Sequence, residues 1–156
     1  MEVVSIPLDN WSLAGRLALA ALLGGILGLN REMALKPAGM RTHALVSLGA
    51  ALATITGLAL AQPPGEDNAA PGRIIQGIVA GIGFVGSGVI LHRRDNYTVE
   101  GLTTAASIWV IAATGVAVGA GLWRASAMVV AISLILLVIG SPIDRLVHRW
   151  SEKPKE

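Results

Sequence analysis

RIIQGIVAGIGFVGSGVIL, residues 73–91, carries no charge after Arg73 and places glycine at Gly77, Gly81, Gly83, Gly86 and Gly88. Glycine in a helix interior costs about 1 kcal/mol relative to alanine in water, whereas in a bilayer it lets neighbouring backbones approach closely. The stretch therefore reads as a transmembrane helix. At about 100° per residue, Gly77, Gly81, Phe84 and Gly88 form one stripe and Gln76, Ala80, Gly83 and Ser87 the stripe beside it. Ile74, Ile75, Ile78, Val79, Ile82, Val85 and Val89 fill the remaining arc with bulky groups suited to lipid. With two faces cut for packing, this helix is expected to sit centrally and to touch at least two others. The plainer reading of its glycines is that they shape that packing without lining a site or a path.

The rest of the chain fits a membrane setting. Of 156 residues, 53% are hydrophobic and only 14% charged, the charges fall in short segments, and the mean hydropathy is positive. That describes a polytopic, all-α membrane helix bundle. The absence of cysteine excludes disulfides and thiolate metal sites. A net charge of +2 gives no reason to expect a nucleic-acid partner. The opening MEVVSIPLDN has Glu2 and Asp9 but no basic residue, unlike a secretory signal, so the first hydrophobic segment is expected to remain as a helix.

Five transmembrane helices are expected, at 11–29, 42–61, 73–91, 102–120 and 123–139, each long enough to cross about 30 Å of hydrocarbon at about 1.5 Å per residue. Arg16 lies close enough to Trp11 to snorkel to the interface. NREMALKPAGMR, residues 30–41, is a short basic loop broken by Pro37 and Gly39. Helix two opens with Thr42 and His43 and has small faces through Ser47, Gly49, Ala50, Ala53, Thr54 and Gly57. QPPGEDNAAPG, residues 62–72, is an acidic turn through Glu66 and Asp67. His92, Arg93, Arg94 and Asp95 close helix three, with Tyr97 as an interface anchor. Ser141 and Pro142 are expected to stop helix five, ending a transmembrane domain at 1–140 and leaving a short tail at 141–156.

Counting cations by side puts Arg31, Lys36, Arg41, Arg93, Arg94, Arg145, Arg149, Lys153 and Lys155 together, against Arg73 and Arg124 opposite. The positive-inside rule then sets the N-terminus outside and the C-terminus in the cytoplasm.

Chemistry is sparse within the spans. None of the ten acidic residues falls mid-membrane, which argues against a proton-coupled carrier. Ser87, between Gly86 and Gly88, is a formal candidate nucleophile, but His43 starts helix two and glycine-flanked serines are common helix contacts. The richer cluster is expected at the cytoplasmic face: Arg31, Glu32, Lys36, Arg41, Thr42, His43, Glu100, Thr103 and Thr104. Thr42 and Thr103 or Thr104 are candidate helix caps, and Glu32 with Arg41 and Glu100 with Arg31 or Arg94 are candidate ion pairs. The sharper readings are a weak divalent-cation site at Glu32, His43 and Glu100, or arginines holding a phosphate or a partner's acidic helix.

LLGGILGLNRE (22–32), KPAGMRTHALVSLGAAL (36–52), RIIQGIVAGIGFVGSGVIL (73–91) and EGLTTAASIWVIAATGVAVGAGLW (100–123) together resemble the MgtC/SapB family of bacterial inner-membrane proteins. The KPAG-RTH and GIGF-G-G segments are far more specific than a lone GxxxG. The resemblance implies a multi-pass inner-membrane helix bundle with its N-terminus outside, linked to magnesium homeostasis, survival under low magnesium and virulence. It also implies, for at least one member, regulation of the F-type ATP synthase. Asn30 stands where the family often has an acidic residue, removing one carboxylate from the cluster. Longer members continue into a soluble cytoplasmic domain, and since this sequence stops at Glu156 no role seated there is expected of it.

The leading expectation is a non-enzymatic membrane regulator that works through helix contacts with itself, as a homodimer, and with a partner such as the ATP synthase. The alternative is a carrier or channel for Mg²⁺ or another small ion, with Gln76, Ser87, Thr54, Thr56 and Thr114 lining a path. A purely structural scaffold is the third reading.

Overall fold

The computed structural model describes residues 10–61, 69–93 and 98–151, without the side chains of 91–93, 98 and 141–151. The acidic turn at Glu66 and Asp67, Arg94, Asp95, Tyr97 and both chain ends lie outside the described residues. Five helices, α1 (Asn10–Met33), α2 (Met40–Ala59), α3 (Ala69–Ser87), α4 (Leu102–Gly119) and α5 (Trp123–Ser151), are each long and apolar enough to cross a membrane. The five-helix bundle expected from hydropathy is the observed architecture.

Several boundaries differ from expectation for local reasons. α3 begins at Ala69 because Pro71 falls in the first turn, where a missing N–H has no helical acceptor to lose. It ends at Ser87, short of 91: Ser87 Oγ donates to the Phe84 carbonyl at 2.7 Å, and Val89 and Ile90 N–H close tight turns onto the Gly86 and Ser87 carbonyls. The chain then forms an antiparallel pair, β1 (Leu91–Arg93) with β2 (Thr98–Glu100), where His92 and Arg93 are expected to close helix three. α5 does not stop at Ser141 and Pro142 but runs to Ser151. Ile143, Leu146, Val147 and Trp150 keep the helical spacing there, and a proline removes only one donor from the ladder.

The centre of the bundle is α4, not the glycine-rich α3. α4 packs against all four other helices, which surround it in the order α5, α1, α2, α3. Half of α4 is buried, whereas only Ile82 and Gly86 of α3 are. α3 does touch two helices, α2 and α4, but its glycine stripes look outward: a methyl added at Gly77, Gly81 or Gly83 would meet nothing. Gly86 lies near the Ala105 Cβ, and Gly88 only near the helix's own last carbonyls.

The close helix crossings use other glycines. On α1, Gly24 and Gly28 sit four apart, and a methyl on Gly28 would lie 2.7 Å from the Gly39 carbonyl oxygen of the α1–α2 turn. On α4, Gly115 and Gly119, also four apart, press on the Ser47 and Ala51 carbonyls of α2. These are small-xxx-small contacts, which let membrane helices gain dispersion energy where lipid offers no hydrophobic drive between them. Around them Ala20, Leu23, Leu27, Ala51, Ile111, Val118 and Val130 form the main apolar core. Leu22, Leu52, Phe84, Trp109, Met128, Ile132 and Leu136 face outward, a distribution suited to hydrocarbon rather than water.

Arg16, half-buried, reaches the end of α4. Its Nη1 donates to the Gly119 carbonyl at 3.0 Å, so a cation meets the C-terminal end of α4 and satisfies a carbonyl left without a helical donor. Arg16→Ala is expected to lower stability by about 1–2 kcal/mol, the weight of a part-buried charged hydrogen bond. Unfolding in mixed micelles would read it, and no change would place Arg16 back in solvent.

Candidate functional site

The predicted polar cluster gathers at the end of the bundle where α1 turns into α2 and β2 enters α4. α1 closes with paired bonds from Leu35 N–H to the Glu32 carbonyl and from Lys36 N–H to the Arg31 carbonyl, both 3.0 Å. This turn usually takes glycine at its left-handed position, but here Leu35 occupies it with φ 54°. The KPAG segment follows, with Ala38 buried and Gly39 starting α2. Across the gap, Gly101 turns β2 into α4 with φ 93°, and an added Cβ there would strike the Val89 carbonyl. Only glycine fits that corner.

The threonines do not cap. The residues that start α2 and α4 are Gly39 and Gly101; Thr42 is half-buried in the first turn of α2, and Thr103 and Thr104 lie inside the first turn of α4. The capping role at α2 falls instead to Glu32 of α1, whose Oε2 accepts the Met40 N–H at 2.9 Å. The carboxylate thus neutralises the N-terminal end of the next helix instead of pairing with Arg41, which is exposed.

His43 is the hub. It is fully buried, with Nδ1 2.9 Å from the Gly39 carbonyl and Nε2 3.0 Å from Ser107 Oγ. A carbonyl can only accept, so a ring with a single hydrogen carries it on Nδ1, and Nε2 then shares the one Ser107 hydroxyl proton with the Thr104 carbonyl, which lies 2.8 Å from Ser107 Oγ. Arg31 completes the corner: its Nη2 donates to Thr104 Oγ1 at 2.8 Å while its Nε, buried, has no partner among the described residues. The histidine partner is therefore Ser107, not Ser87, which is exposed and bonded to its own helix. Both residues are buried, and their contact ties α2 to α4.

Beside this corner a cleft of about 510 Å³ opens, bringing Arg31, Lys36, Glu100, Thr103 and Thr104 of the expected cluster together with Leu136, Leu137 and Gly140 of α5. Glu32, Arg41, Thr42 and His43 lie outside it. Among the described residues no three acidic or histidine side chains come close enough to hold a metal, and both nitrogens of His43 are already engaged. Thr54, Thr56 and Thr114 each donate to the carbonyl four residues earlier on their own helix, and Gln76 is exposed on α3.

Sequence reasoning missed Ser107 and Thr104's bond to Arg31. The available signal was helical spacing on α4, where Thr104, Ser107, Ile111, Gly115 and Val118 form one buried face.

The sequence model of the MgtC family matches residues 17–146, nearly all of the bundle just described. The chain belongs to the MgtC family. Protein SrpB of Synechococcus elongatus is 42% identical over 135 residues, covering 80% of this chain and 72% of that protein. The Escherichia coli K12 protein named putative magnesium transporter YhiD is 44% identical over 112 residues, covering 70% of this chain and 51% of its own length. Protein MgtC of Brucella abortus is 41% identical over 109 residues, 70% of this chain and 43% of that one. The chain thus spans about half the length of the last two. No solved structure matches. For this MgtC-family chain, the KPAG-RTH segment that carried the resemblance is the turn that buries Ala38, offers the Gly39 carbonyl and seats His43.

Proposed function

We propose that this chain is a non-enzymatic bacterial inner-membrane protein linked to magnesium homeostasis and stress, and that it regulates a membrane partner through helix contacts. The observation that carries the reading is the disposition of its polar groups: the Thr54, Thr114 and Ser126 hydroxyls bond to carbonyls four residues earlier, while the small-residue face of α3 is left uncovered. A bundle built this way has a face for another helix and little to replace an ion's water shell. The magnesium link follows the names of relatives, and the family resemblance extends it to virulence and to the F-type ATP synthase as partner. The His43 end, where most of the cations fall, faces the cytoplasm in this reading, and α3 is also the surface through which two copies would associate.

ATP-driven proton pumping in inverted membrane vesicles tests it, with the wild type, with Arg41→Ala and without the protein. Slower pumping with the wild type, relieved by the substitution, is expected; equal pumping at matched expression would sink the ATP-synthase reading. The second reading, a Mg²⁺ carrier, draws on the name of the Escherichia coli relative and on Glu100 at the cleft. Proteoliposomes that pass Mg²⁺ down a gradient would put it first, and tight ones would remove it.

A further inference from the structure

Among the described residues, Arg31 is a buried cation held by a neutral group. It is only 5% exposed, its side-chain partner is the hydroxyl of Thr104, and its Nε has no acceptor. Burying an ionised group in this way is costly unless an opposite charge lies nearby. Arg31 also forms part of the wall of the 510 Å³ cleft. Three further features of that wall suit an anion. Lys36 is exposed there, the first turn of α4 borders it through Thr103 and Thr104, and Thr103 adds an exposed hydroxyl. Among the described residues of the lining, Glu100 is one carboxylate against the two cations Arg31 and Lys36. The opposite wall is apolar, formed by Leu136 and Leu137 of α5.

We propose that this cleft holds a phosphate-bearing anion. Arg31 supplies the buried positive charge, Lys36 closes on the ligand from the rim, and Thr103 with the first N–H groups of α4 donates to its oxygens. A phosphate suits a guanidinium and a helix N-terminus together, since its several oxygens accept from both. The cleft is large enough for more than an inorganic ion. Arg31 stands in the last turn of its span, the depth at which lipid headgroups lie, and the leucines of α5 offer a surface for acyl chains. These features favour an anionic phospholipid as the source of the phosphate. The site is independent of whether the protein regulates a partner or carries an ion.

The test uses the full chain purified in mild detergent. Native mass spectrometry reads retention of phosphatidylglycerol against phosphatidylcholine, and thermal unfolding reads added inorganic phosphate. Because Arg31 is buried and its loss endangers folding, Lys36→Gln carries the test, with Arg124→Gln at the opposite, exposed end as the control for general surface charge. Preferred retention of phosphatidylglycerol, weakened about five-fold by Lys36→Gln and untouched by Arg124→Gln, is expected. Stabilisation by inorganic phosphate that depends on Lys36 would support the site and identify a free phosphate as its ligand. No preference for either phosphate source, or equal weakening by both substitutions, would overturn the proposal.

Discussion

Gly115→Val should separate α2 from α4 and cost about 3 kcal/mol or more, enough to remove most folded protein from the membrane. A Cβ at Gly115 would run into the Ser47 carbonyl, and that atom is helix backbone with no rotamer to yield. The helices must move apart, and the contact of Gly119 with Ala51, one turn on, is lost with them. Overpacking a core typically costs 1–3 kcal/mol, about the same or more where backbone must shift. The paired substitution Gly81→Val supplies the contrast, because nothing lies within reach of an added methyl there. Its effect on stability of the monomer should stay within about 0.5 kcal/mol. Urea or SDS unfolding of both variants in mixed micelles gives the answer. Equal losses would mean that α3, not α4, forms the centre of the bundle.

His43→Ala is expected to cost about 3 kcal/mol, combining a cavity with two lost hydrogen bonds. The imidazole is fully enclosed and joins the Gly39 carbonyl at the head of α2 to Ser107 on α4. Its removal leaves Ser107 only the Thr104 carbonyl of its own helix, so α2 and α4 lose their polar tie. The Arg31 bond to Thr104 stands one turn away and should loosen in turn. His43→Gln, which can still donate to one oxygen and accept from another, should recover part of the loss. A thermal unfolding series in detergent would show the order wild type, glutamine, alanine. An alanine variant as stable as the wild type would exclude the strut role.

Much of the end cluster is legible in the residues themselves. The simple alternation of spans draws the loop cations, Glu32, His43 and the α4 threonines to one end, and five of the nine line one cleft. Their partners are not legible in that way. Glu32 is expected beside Arg41 but accepts a backbone N–H, and Arg31, expected with Arg94 as an alternative partner of Glu100, donates to the Thr104 hydroxyl. Charge sign suggests partners among opposite charges, whereas a helix start offers N–H groups that no residue letter announces. The partner of Arg16 is hidden for a related reason: the carbonyl it satisfies belongs to Gly119, and backbone acceptors are invisible in sequence.

The number of spans and most of their positions follow from the sequence alone, because crossing a bilayer is a demand on the length and polarity of a single segment. Small residues four apart, as at Gly24 and Gly28, can likewise be recognised as contact surfaces. Only the tertiary structure decided which such surfaces meet. In water a helix's apolar stripe marks its inner side, but lipid is as apolar as a leucine core and leaves rotation about the helix axis unmarked. α3 therefore carries the most glycine and stays at the edge, while α4 takes the centre because its small residues fit the carbonyls of α2.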